Sequence, residues 1–170
     1  MYHDLLAEGF SSDFHVRKLG KADLDDIYKL CCKNVIFYQY HPPFVTRESI
    51  LEDMKALPPG KTYADKYYIG FFQKDRLVAV MDLILDYPRA GIAFIGFFMM
   101  NMDFQGRGIG ALIIRQSLAC LTAMGYKNVQ LGIDKGNPQS EAFWTKCGFV
   151  KTGREIPNEI SAYVYMEHPL

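Results

Sequence analysis

The 170-residue chain has no excess of either charge: nineteen Lys and Arg stand against nineteen Asp and Glu. That balance excludes a global basic field recruiting nucleic acid or a membrane surface, so an anionic ligand must be held by local groups. Long apolar runs are missing too; none approaches the roughly 18 residues of a membrane span. The N-terminal MYHDLLAEGF has no basic-then-apolar leader pattern. Cysteine is scarce, at four residues. Cys31 and Cys32 are adjacent while Cys120 and Cys147 sit at core-like positions, so metal-type pair spacing is absent and reduced, hydrophobe-like thiols are expected. His3, His15, His41 and His168 are scattered and form no metal constellation. Together these absences predict a cytoplasmic protein without a resident metal. Repeats, low-complexity stretches and long linkers are also lacking. What remains is ordinary globular composition, 49% hydrophobic and 22% charged. It is enough for one domain with a real core, expected over residues 14–170 behind an N-terminal extension at 1–13.

Apolar periodicity lays out the elements. FHVRKL (14–19) alternates as a short strand. KADLDDIYKLCCKN places Leu24, Ile27, Tyr28 and Cys31 at helical spacing, with Asp23, Asp25 and Asp26 at the positive end of the dipole. The aromatic VIFYQYHPPF (35–44) breaks at Pro42-Pro43 and is expected to be the least regular segment. TRESILEDMKAL predicts a helix capped by Thr46; Ser49 instead of Glu leaves its capping box incomplete, and Pro58-Pro59-Gly60 ends it. KYYIGFFQ and RLVAVMDLILDY read as a hairpin turned at Lys74-Asp75, and GIAFIGFFMMN (91–101) as a long apolar strand. A helix from Ile109 to about Met124 stops at Gly125. KNVQLGID reads as a buried strand, and NPQSEAFWTKC as a helix capped by Asn137 with Pro138 in its first turn. GFVKTG and SAYVYMEH close the chain as strands. The order β-α-α-β-β-β-α-β-α-β-β predicts an α/β domain with a mixed sheet.

Three glycines alternate in Gly106-Arg107-Gly108-Ile109-Gly110, between a strand end and a helix start. Backbone N–H groups there, unshielded by Cβ atoms and reinforced by the helix dipole, make a cradle for an anion such as a diphosphate. Gly106 to Ala111 formally satisfies the dinucleotide pattern G-x-G-x-x-G/A, and Asp134 ends the next strand where a ribose-binding acid would stand. After Asp134, however, Lys135–Leu170 offers one helix and two strands, too little for a doubly wound nucleotide domain.

The stretch Gln105-Gly106-Arg107-Gly108-Ile109-Gly110 resembles the Q/R-x-x-G-x-G/A signature of the GCN5-related N-acetyltransferase (GNAT) family. NPQSEAFWTKCGF is similar to that family's Asn–helix–aromatic–Gly-Phe segment, with Asn137, Trp144 and Gly148-Phe149 at matching offsets. The resemblance spans about residues 14 to 167. It implies a single domain with a mostly antiparallel sheet flanked by about four helices. It also implies acetyl-CoA as co-substrate, with Gln105, Gly106, Arg107, Gly108, Gly110 and Ala111 around the pyrophosphate. By the same resemblance the strand ending at Met99–Met102 splays from its neighbour and pairs with the pantetheine. Met100 N–H would polarise the thioester carbonyl, Met102 would lie along the cofactor, and Asn137 would lie beside it. Where the family commonly places an acidic Tyr, this chain has Trp144, whose indole N–H cannot titrate. A thiol of pKa about 8.5 leaves tolerably without an acid.

Asp82 interrupts the apolar LVAVMDLIL. A buried unpaired carboxylate costs several kcal/mol, so it reads either as solvent-facing or as an anchor or base for an acceptor ammonium. On the second reading, Asp82→Asn should leave the fold intact. Asp134 and Glu155 are further candidates, as are Tyr163 and Tyr165 for the acid. Tyr38, Tyr40 and His41 with Asp82, flanked by Phe37 and Phe44, are the expected acceptor pocket. The expected activity is acetyl transfer from acetyl-CoA to a primary amine, of a small molecule or peptide, by direct attack. A non-catalytic acyl-CoA-binding module is the alternative. A homodimer stays open, and neither nucleic acid nor membrane is an expected partner.

Overall fold

The computed structural model describes residues 6–170; residues 1–5, including His3, lie outside the described part. Strand β1 (His15–Lys18) precedes three helices: α1 (Leu24–Cys32), α2 (Val35–Tyr40) and α3 (Arg47–Lys55). Strands β2 (Lys66–Gln73), β3 (Arg76–Leu85) and β4 (Ile92–Met100) follow as a meander. Then come α4 (Ile109–Ala123), β5 (Asn128–Asp134), α5 (Pro138–Lys146), β6 (Val150–Pro157) and β7 (Ala162–Pro169). The seven strands form one sheet in the order β1-β2-β3-β4-β5-β7-β6. Only β4 and β5 run parallel, joined by the α4 crossover; all other neighbours are antiparallel.

Both faces of the sheet are covered, which explains why its central strands read as almost unbroken apolar runs. On one face Tyr67, Ile69, Phe71 and Met81 pack with Ile113, Ile114 and Leu121 of α4 and with Trp144 of α5. On the other, Tyr68, Phe72, Val80 and Met99 pack with Ile27 and Leu30 of α1 and Ile50 of α3. Gly70 lies on this second face, and a Cβ there would meet Leu19 at 2.7 Å and Leu77 at 2.9 Å.

Two expectations need correction. Residues 35–40 are helical, not irregular. Their Val, Ile and aromatic content argues against a helix by propensity, but packing overrides it: Phe37 meets Phe97 of β4 at 6.0 Å and His41, four residues on, at 5.1 Å. Residues 6–8 are also helical. The capping box of α3 is complete, because Ser49 substitutes for Glu: Ser49 N–H donates to Thr46 Oγ1 and Thr46 N–H to Ser49 Oγ, each at 3.0 Å. The segment before β1 packs into the same core. Ala7 and Phe10 are fully buried in the main core, and Ser11 Oγ donates to Gln116 of α4 at 2.6 Å.

Candidate active site

The site begins with a fork in the sheet. β4 and β5 pair only over Ile92–Ile95 and Asn128–Leu131. A bulge then intervenes, since Asp82 faces Phe97 while Leu83 faces Ile95, leaving Gly96 as the extra residue. Beyond it β4 pairs only with β3, and Gly132–Asp134 of β5 pair only with β7. Asn101 N–H donates to Val78 O at 2.8 Å. Counting back by twos along the ladder, the N–H groups of Met99 and Phe97 also face β3, which turns those of Met100 and Phe98 into the open fork. Met100 O faces the same way and accepts from Asn34 Nδ2 at 3.0 Å and Gln105 Nε2 at 3.3 Å. The Gln105 side chain thus ties the glycine loop to β4 and, through Asn34 Oδ1 at 3.0 Å, to the start of α2.

Two cavities occupy the fork, of about 300 and 320 Å³. The first is lined by Gln105, Gly106, Gly108, Gly110 and Ala111, by Phe98 and Met100, and by Phe143 and Trp144 of α5. Gly106 and Gly108 have φ of +76° and +75°, and a Cβ on either would meet nothing within 4 Å. The loop is therefore a left-handed turn open to a guest, ending where the first-turn N–H groups of α4 have no intrahelical partner. Gly110 serves packing, since its Cβ would stand 3.0 Å from Phe143 and 3.4 Å from Met100. Asn137, 1% exposed, caps α5 through Oδ1 to Gln139 and Ser140 N–H, while its Nδ2 is a buried donor without a protein partner. Trp144 sits among Phe98, Phe143 and Phe149, with ring centroids 5.9, 5.0 and 5.1 Å away.

The second cavity shares Phe37, Phe98, Ser140 and Trp144 with the first, so the two meet in the fork. Its polar groups are Asp53, Asp82, His41 and Asp134, set among Phe94, Phe97, Tyr163 and Tyr165. Asp82 is neither free nor simply solvent-facing. Lys66 Nζ, whose side chain is only 3% exposed, donates to its two oxygens at 2.9 and 2.8 Å. Burial pushes the Asp82 carboxyl up, and Lys66 partly offsets this. Lys66 and Asp82 are diagonal neighbours across β2 and β3, a register that sequence periodicity does not reveal. His41, at the end of α2, places Nδ1 3.1 Å from both oxygens of Asp134 at the end of β5. That hydrogen bond raises the imidazole pKa, against the smaller opposing effect of burial.

The fork therefore gathers most of the residues expected from the sequence, but not all. Met102 lies in a 3₁₀ turn, 44% exposed and away from both cavities. Arg107 projects from the loop into solvent. Tyr40 faces solvent, and Tyr38 lines a smaller neighbouring cavity with Cys31 and Asp53. Glu155 pairs with Lys135 on the surface. Sequence reasoning missed Asn34, Lys66, Asp53, Phe98 and Phe143. None of these carried a local signal; Asn34 precedes a segment whose composition does not read as a helix. Burial pushes the Cys31 and Cys147 thiols up to about 11, so neither is a ready nucleophile. Among the described residues no group of His, Cys, Asp or Glu could hold a metal ion, and no helix is long and apolar enough to cross a membrane.

Residues 24–149, which contain the forked strands, the glycine cradle at the start of α4 and the α5 cap beside it, match the family described as acetyltransferase (GNAT). The chain belongs to the acetyltransferase (GNAT) family. No curated protein matches the sequence. Among solved structures, it is similar to an acetyltransferase from Thermus thermophilus, at 21% identity and TM-score 0.70 over 92% of this chain and 97% of that one. It is also similar to the paia N-acetyltransferase of Thermoplasma acidophilum in complex with coenzyme A, at 16% identity and TM-score 0.67, covering 92% and 99%. Spermidine N-acetyltransferase of Vibrio cholerae, in complex with CoA and spermine, gives 18% identity and TM-score 0.67 over 94% and 96%. These likenesses carry the GNAT fold.

Proposed function

We propose that this GNAT protein transfers the acetyl group of acetyl-CoA to the primary amine of a small molecule or peptide, by direct attack. The observation that carries the reading is the meeting of two unlike cavities in the fork, one walled by backbone donors and the other by carboxylates and aromatic rings. The residues fit the donor. Gly106, Gly108 and the first turn of α4 offer N–H groups to a pyrophosphate, with Arg107 contributing its backbone. The fork edges of Phe98 and Met100 offer an N–H each to an amide or thioester carbonyl. Asn137, buried and in neither lining, acts as the cap that holds α5 beside the cavity. Trp144 at the junction packs against the arm that crosses it and, as a non-titrating indole, is no general acid. Asp53, Asp82 and Asp134 line the second cavity with His41, and only Asp82 has a lysine paired behind it, which favours a cationic acceptor, while the aromatic rings suit its alkyl parts. Asp82 acts there as a lysine-paired wall, not a free anchor.

Calorimetry with CoA and NADH, followed by thiol release from acetyl-CoA over a panel of amines, tests this. Micromolar CoA binding, no NADH binding, and thiol release dependent on one class of amine are expected. CoA binding without thiol release from any amine would leave a binding module instead. A cytoplasmic location, argued from four free cysteines, remains part of the proposal.

A further inference from the structure

The acceptor cavity contains two carboxylate pairings of different kinds. Asp82 is held by Lys66, a cation that stays in place. Asp134 is held by His41, which changes charge near neutrality. A carboxylate on Nδ1 fixes the imidazole tautomer with its proton there and leaves Nε2 as the lone-pair nitrogen. Residues 93 apart in sequence make this pair, so the fold builds it. Phe37 packs on the ring at 5.1 Å and also lines the first cavity, which puts the imidazole one side chain from the junction. Tyr163 flanks it at 6.4 Å.

We infer that His41 is the general base that deprotonates the acceptor ammonium, and that Asp134 is its positioning residue. The inference rests on the acetyltransferase reading above. Nε2 takes one proton from R–NH₃⁺, and the freed lone pair forms the C–N bond to the thioester carbonyl carbon. The C–S bond breaks and sulfur leaves with the electron pair. The second amine proton passes to that sulfur, directly or through water, giving amide and thiol. The proton on His41 passes to solvent, for the side chain is 43% exposed. One proton is released per turnover and no redox partner is needed. The charged and titratable groups around the ring are Asp134 from β5, Asp53 from α3 and Tyr163 from β7, with the Lys66–Asp82 pair across the cavity. The raised pKa makes the imidazole a stronger base, available over a pH range shifted upward.

The test compares the full-length wild type with His41→Gln and Asp134→Asn. Each is given an alkyl amine, charged at neutral pH, and an aromatic amine whose nitrogen is already unprotonated. Thiol release is followed from pH 6 to 10, and CoA affinity by calorimetry. A positioned base is worth about 100-fold or more. His41→Gln should lose that much turnover with the alkyl amine, lose little with the aromatic amine, and bind CoA as before. Its remaining rate should climb with pH toward the acceptor's own pKa, about 10 for an alkyl ammonium. Asp134→Asn should fall part of the way, with its acid limb moved to lower pH. Equal losses on both amines, an unchanged pH profile, or loss of CoA binding in His41→Gln would overturn the base assignment. A wild type that binds CoA but releases no thiol with any amine defeats the acetyltransferase reading itself, a result separate from any behaviour of the variants.

Discussion

Trp144 stands where the family commonly has an acidic Tyr, and its surroundings say what it does instead. It is 7% exposed and ringed by Phe98, Phe143 and Phe149, a packing role at the meeting of two cavities. Trp144→Phe should therefore cost at most about tenfold in turnover, the equivalent of one modest hydrogen bond of roughly 1.4 kcal/mol. A loss of about 100-fold with CoA affinity intact would mean that the indole takes part in proton movement. Asp82 is a different case. From sequence, Asp82→Asn should be silent for the fold; with Lys66 buried against it, the change strands an ammonium. Denaturant unfolding should show a loss of about 3 kcal/mol. The double change Lys66→Met/Asp82→Leu should recover most of it, and a stable single variant would argue against the pairing.

At the scale of elements, the clearest reading from sequence was the strand–loop–helix around Gly106. Glycine spacing, the apolar strand before it and Gly125 after it all signal locally. Helix α2 was illegible for the opposite reason: its stability comes from Phe97 and His41, not from the propensity of Val35, Ile36 or Phe37. The Lys66–Asp82 and His41–Asp134 pairs were hidden because strand register and helix docking bring them together. In α4, Gly110 and Gly108 make a contrast. Gly110→Val would push against Phe143 at 3.0 Å and force α4 from α5, so it should lose about 1–3 kcal/mol of stability together with CoA affinity. Gly108→Val meets open space and is penalised by its φ of +75° instead, costing about 1–2 kcal/mol. Gly108→Val should also lose CoA affinity, because the added side chain fills the open cradle. Thermal unfolding and CoA calorimetry on both variants check these losses; unchanged CoA binding of Gly108→Val would argue against the cradle.

For the molecule as a whole, the His41–Asp134 contact ties α2 to β5 across the mouth of the fork. The folded-state imidazole pKa is raised, so the contact contributes fully below the unfolded value of about 6.5. The contribution fades as pH rises through the higher folded value. Comparing wild type with His41→Gln by urea unfolding, the gap should be widest near pH 5.5 and narrow as pH rises through the raised folded value. A gap that widens with pH would reverse the assignment.

The fork also determines what kind of molecule would best block the protein. The two cavities share Phe37, Phe98, Ser140 and Trp144, so a CoA in one and an amine in the other would adjoin at that junction. Joining an amine to CoA through a short covalent tether would turn the second docking event into an intramolecular one, at an effective concentration in the millimolar range for a short flexible link. Such a hybrid should outcompete either half alone, with a tether too short to span the junction at Trp144 losing that advantage entirely.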